Sequence, residues 1–106
     1  MNEYNPDNWV IVKINVPGEP VFYKVLAGWS GGYLDGDSWR MNSGITKVTE
    51  HKYHYAFEGD TGSVYNCHKD QERLSMATSG TWALLQKRYP DNLEIVEVGD
   101  IVLQPN

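Results

Sequence analysis

The chain has one cysteine among its 106 residues, Cys67, so no intrachain disulfide staples it, which fits a reducing compartment. It has no apolar run near the roughly 18 residues that a membrane-spanning helix needs, and its opening MNEYNPDNW lacks the basic and apolar parts of a secretion signal. These absences set the expectation of a cytoplasmic protein. Cations are also scarce: 9 Lys and Arg stand against 14 Asp and Glu, a net charge of -5. A nucleic-acid polymer is therefore not the expected partner, because polymer binding rests on neutralising several phosphates. Repeats, low-complexity tracts and interdomain linkers are missing too, and 106 residues suffice for one modest core, so 1–106 is expected to be a single domain with 1–8 as a flexible lead.

The motifs of several chemistries are absent as well. There is no Gly-rich phosphate loop followed by Lys and Ser or Thr, and no nucleophile elbow. A calcium loop starting at Asp35 would need a bidentate Glu at its twelfth position, where Thr46 stands. His51 and His54, three apart in a strand-turn region, are expected on opposite sides, and with Cys67 and His68 they make no zinc pattern. Cys67 and His68 are neighbours on an expected strand, so they point to opposite faces and form no direct dyad. The expectation is a protein that is not an enzyme and holds no metal or cofactor.

What is present is punctuated β structure. WVIVKINV (Trp9 to Val16) and VFYKVLA (Val21 to Ala27), joined by PGEP, read as a hairpin, with Val10, Val12, Ile14 and Val16 as the expected core face. Strands are also expected at about Ile45 to Thr49, Tyr53 to Glu58 and Ser63 to Lys69, the last two joined by a tight turn at GDTG. Helical spacing occurs once: Trp82, Leu85 and Tyr89 recur between Ser75 and Tyr89, with Thr78 or Ser79 as the expected cap, Lys87 and Arg88 in the last turn and Pro90 as the stop. NLEIVEVGDIVL closes the chain as a strand or strand pair. The expected fold class is α+β: a small antiparallel sheet, a meander or partly open barrel of about five to six strands, with one C-terminal helix packed on it.

The densest chemistry lies in GWSGGYLDGDSWRMNSG, residues 28 to 44. Its glycines permit close backbone approach, Trp29, Tyr33 and Trp39 offer stacking faces, and Arg40 offers a planar fork for phosphate or carboxylate. Ser30, Gly31, Gly32, Asp35, Asp37, Asn42 and Ser43 complete a candidate pocket, which Thr61, Ser63 and Lys69 would supplement.

The run YKVLAGWSGGYLDGDSWRMNSGI, then GSVYNCHK and the late helix, resembles a group of small uncharacterised proteins of tailed bacteriophage genomes, over about residues 9 to 90. The resemblance implies a setting and assigns no functional residue. Small phage accessory proteins commonly act without catalysis, by sequestering a host signalling molecule or by occluding a host or defence protein.

Two functions follow as expectations. The first is a sponge for a nucleotide-like signal, a small-molecule site shared in a homo-oligomer, with an aromatic of segment 28–44 on the base and Arg40 on phosphate. The second is an inhibitor that binds a host or defence enzyme through an acidic and aromatic surface. A sugar-binding platform using Asp35 and Asp37 ranks behind both. Convergence of Trp29, Trp39 and Arg40 on one hollow favours a ligand, and their dispersal over a face favours a protein partner.

Overall fold

The β-branched run at the head of the chain sets the architecture, because it is apolar at four consecutive positions, Trp9 to Val12, and again at Ile14 after Lys13, so both of its faces carry apolar side chains. The computed structural model describes residues 2–31 and 36–103. In chain order these form β1 (Glu3–Tyr4), β2 (Asn8–Ile14), β3 (Phe22–Trp29), β4 (Ser38–Met41), β5 (Ile45–Glu50), β6 (His54–Gly59), β7 (Val64–His68), α1 (Met76–Arg88) and β8 (Leu93–Val96), with short 3-10 turns at Lys69–Gln71 and Val98–Asp100.

The strands make two four-stranded sheets, one in the order β4-β3-β2-β8 and one in the order β1-β7-β6-β5. All pairings are antiparallel except β1 with β7. The α+β class with one helix on a sheet is as expected, but the described residues hold eight strands in two sheets, where five to six in one sheet were expected. The surplus comes from β1 and β4, of two and four residues, too short to show an alternating pattern.

β2 is buried on both sides. Trp9 and Ile11 enter the core between the two sheets, with Tyr23, Val25 and Ala27 of β3 and Ile45, Phe57, Tyr65 and Cys67 of the other sheet. Val10 and Val12 face the helix and pack with Leu26 and Trp82. The expectation that the even positions form the core face is thus corrected: they form the smaller core, and the odd positions form the larger one. A strand sandwiched between a helix and a second sheet needs apolar residues at every position.

α1 starts earlier than its composition suggests. Ser75 is the cap: its Oγ accepts from the Ala77 N–H (3.3 Å), and its own N–H donates to Thr78 Oγ1 (2.9 Å). Thr78 therefore closes the box three residues in, and Ser79 is the residue after it. Trp82 and Thr78 are the helix residues buried against the sheet. Gly80 sits in the exposed helix interior, and a methyl group there would meet nothing within 4 Å. Gly80→Ala is therefore expected to stabilise the fold by about 0.5–1 kcal/mol, seen as a higher urea midpoint with unchanged slope.

The first residues, expected as a flexible lead, make specific contacts. Glu3 and Tyr4 align with Val64 and Tyr65, and the Asp7 N–H donates to the Gly28 carbonyl (2.9 Å). At the other end, the closing segment gives one strand, β8, after which Ile101 and Leu103 pack against the inter-sheet core.

Candidate functional site

Segment 28–44 divides among several elements. Gly28 and Trp29 end β3, residues 38–41 form β4, and residues 42–44 cross to the other sheet. Gly32, Tyr33 and Asp35 lie outside the described residues.

The register places the two most chemically capable residues back to back. Arg40 is opposite Ala27, which belongs to the inter-sheet core, so Arg40 shares that face of the sheet. Trp39 is opposite Gly28, whose missing side chain would point at Ser75, Ala77 and Thr78, so Trp39 shares the helix-facing side. Trp39 is 50% exposed, and Arg40 is exposed too. β4 is an edge strand: β3 pairs with one side of it, and its other side has no strand partner among the described residues.

Around Arg40 the aromatics are committed to one another. Its guanidinium carbon stands 4.6 Å from the Tyr4 ring centre, Tyr4 stacks on Tyr65 (4.8 Å) and Trp29 meets Tyr4 edge-on (6.3 Å). The Trp29 indole N–H donates to the Asn5 carbonyl (3.0 Å), and the Ser30 N–H donates to Asp7 Oδ2 (2.8 Å). Burial raises the Tyr65 phenol above its ordinary value, and the Arg40 charge works against that rise. Tyr4 gave no signal in the sequence beyond being an aromatic in an otherwise polar lead, yet it is the plate on which Arg40 lies.

The remaining candidates scatter. Asn42 is buried, and its Oδ1 accepts from the Val25 N–H (2.8 Å), so it substitutes for a strand partner where the chain leaves the sheet. Ser43 Oγ lies 3.3 Å from Thr61 Oγ1, so the 59–63 turn does reach the end of the segment; Ser63 is half-buried there. Gly31 is half-buried and Asp37 exposed. Lys69 is engaged elsewhere, pairing with Glu50 (2.6 Å) and standing 5.1 Å from the Tyr55 ring centre. Cavities of about 690 and 510 Å³ are lined by residues outside this set.

The histidines differ from expectation. The His51 N–H donates to the His54 carbonyl (2.8 Å), so the 51–53 turn folds back and stacks the two rings with centres 4.5 Å apart. His68 is 6.1 Å from His54. Desolvation and then the neighbouring charges of His51, His68 and Lys69 lower the His54 pKa. Among the described residues, no group of three or more His, Cys, Asp or Glu is placed to hold a metal ion.

Cys67 is fully buried between the sheets, and burial, helped by the charge of Glu72, pushes its thiol far above the ordinary range. A thiol held protonated is a poor nucleophile. His68, on the opposite face of β7, is exposed. The chain matches no protein-family model, no curated protein and no solved structure.

Proposed function

We propose that this chain is a non-catalytic accessory protein of the phage type that binds and blocks a host or defence enzyme, with β4 as its contact edge. The observation that carries the proposal is the pair Trp39 and Arg40, exposed on opposite faces of one edge strand. Trp and Arg are the side chains that most often anchor protein interfaces. An edge strand adds unpaired main-chain groups that a partner segment can engage by extending the sheet. The acidic balance of the chain favours encounter with a basic partner surface, through long-range attraction. Among the described residues no helix is long and apolar enough to cross a membrane, and a partner in the bacterial cytoplasm suits such a chain.

Sequestration of a nucleotide-like signal is the competing function, and it draws less support from the geometry. Trp29 spends its N–H inside the chain, and Trp39 and Arg40 face apart, so the three do not converge on one hollow.

The test is gentle purification from a bacterial host followed by native mass spectrometry of the wild type, Trp39→Ala and Arg40→Ala. A stoichiometric host protein is expected on the wild type, bound at least about tenfold more weakly by Trp39→Ala, with the circular dichroism of the variant unchanged. A small molecule of nucleotide mass, retained by the wild type and lost in Arg40→Ala, would overturn the proposal in favour of the sponge.

A further inference from the structure

The helix leaves part of its sheet uncovered. Trp82 seals α1 against Val10, Val12 and Leu26, but beyond it the C-terminal half of α1 and the helix-facing side of the sheet enclose a groove of about 510 Å³. Leu85 and Tyr89 form one wall, and Ile14, Phe22, Met41 and Leu93 form the other. Phe22 and Tyr89 stay 38% and 43% exposed at its rim, an apolar surface that the fold itself does not close.

One charged side chain lines the groove, Lys24. It is half-buried, its Nζ lies 6.0 Å from the centre of the Phe22 ring, and among the described residues no carboxylate comes within 4.0 Å of it. The polar side chain of Asn92 is already committed, donating to the Asn15 carbonyl (2.8 Å). The 690 Å³ cavity is mainly acidic, with Glu72, Glu94, Glu97 and Asp100 against Arg73 in its lining and burial and Glu97 raising the Glu72 pKa. In a chain of net charge -5, an apolar groove whose one charged lining residue is a cation with no carboxylate beside it among the described residues has a defined complement.

From this juxtaposition we infer that the groove between α1 and the β2–β3 hairpin is a binding site for a small amphipathic anion, an apolar body carrying a single carboxylate, with Lys24 as the residue that selects the charge. Its volume falls in the range of small-molecule sites, which are mostly apolar with a few polar groups that fix orientation. A nucleotide does not suit it, since nothing in the lining answers the edge of a base or a second phosphate. The groove takes Met41 from the end of β4 but neither Trp39 nor Arg40, so its binding does not rest on that contact pair.

Decanoate is the probe, with decan-1-ol and decyltrimethylammonium as its neutral and cationic counterparts, each titrated by amide NMR. Decanoate is expected to shift the signals of Lys24, Leu85 and Tyr89. Lys24→Met is expected to weaken it about tenfold, Lys24→Glu to transfer the preference to the cation, and Trp39→Ala to leave it unchanged. Lys24 is not a core residue, so these variants should keep the wild-type spectrum outside the groove. Equal binding of all three probes, shifts centred elsewhere, or unchanged affinity in Lys24→Met would each overturn the inference.

Discussion

Trp9→Ala is expected to cost about 4–5 kcal/mol, enough to leave a domain of this size marginally folded or unfolded at 37 °C. Three features combine at this position. The side chain is fully buried, so its removal leaves a large cavity in the inter-sheet core. Its ring packs against Phe57 (5.5 Å) and Tyr55 (6.2 Å), both from the opposing sheet, so the cavity falls where the two sheets are joined. Its Nε1–H donates to the His68 carbonyl (2.7 Å), and truncation deprives that oxygen of its partner. Trp9→Phe keeps much of the ring and loses the donor, so it should cost less, about 1–3 kcal/mol. Urea unfolding of the three proteins checks both values. A Trp9→Ala loss below about 1 kcal/mol would mean that the sheets do not depend on this contact.

Gly28→Val is expected to cost about 3 kcal/mol by overpacking, without opening any cavity. A side chain at 28 would place its Cβ 2.8 Å from Thr78 Cγ2, 3.0 Å from Ser75 Oγ and 3.2 Å from Ala77 Cβ. Neither side can yield cheaply. The strand is held by register on both flanks, Asn8 and Trp39, and the helix start is held by its cap. α1 must therefore lift from the sheet, and the loss should appear as lower stability together with weakened protection of helix amides from hydrogen exchange. Gly28→Ala should cost less, and in that background Thr78→Ser, which deletes Cγ2 and keeps the capping hydroxyl, should restore part of the loss. Strict additivity of the two changes would refute the steric account.

The parts of the fold that are legible in the sequence are those encoded locally. PGEP between two β-branched runs gives the hairpin, and its observed register runs from Asn8 opposite Gly28 to Ile14 opposite Phe22. GDTG gives the β6–β7 turn, and Trp82 with Pro90 gives the helix and its limit. What escapes is decided by distant partners. Two residues, Glu3 and Tyr4, carry no strand signal of their own, and become a strand because β7 supplies the other half of the ladder. WVIV carries apolar side chains on both faces, but which face meets the larger core cannot be read until both the helix and the second sheet are in place.

The candidate site follows the same division. Trp39 and Arg40 are recognisable by type, since such side chains are rarely left exposed without use. Their arrangement depends on whether Ser38 to Met41 is loop or strand, and a Gly- and Ser-rich neighbourhood points to loop. As a loop the segment could gather its aromatics round a ligand. As a strand it sends adjacent side chains to opposite faces, and that single difference moves the functional emphasis from a small molecule to a protein.

The strand order also bears on when the molecule can become native during synthesis. The β4-β3-β2-β8 sheet lacks an edge until residues 93–96 arrive, and the other sheet draws one edge from residues 3–4 and the rest from residues 45–68. A ribosome-bound chain stopped before residue 93 leaves the β8 side of Ile11 to Ile14 without a ladder partner. The last ladder therefore joins segments about eighty residues apart, a distant closure of the kind associated with folding in milliseconds to seconds, and native packing waits for nearly the whole chain to emerge.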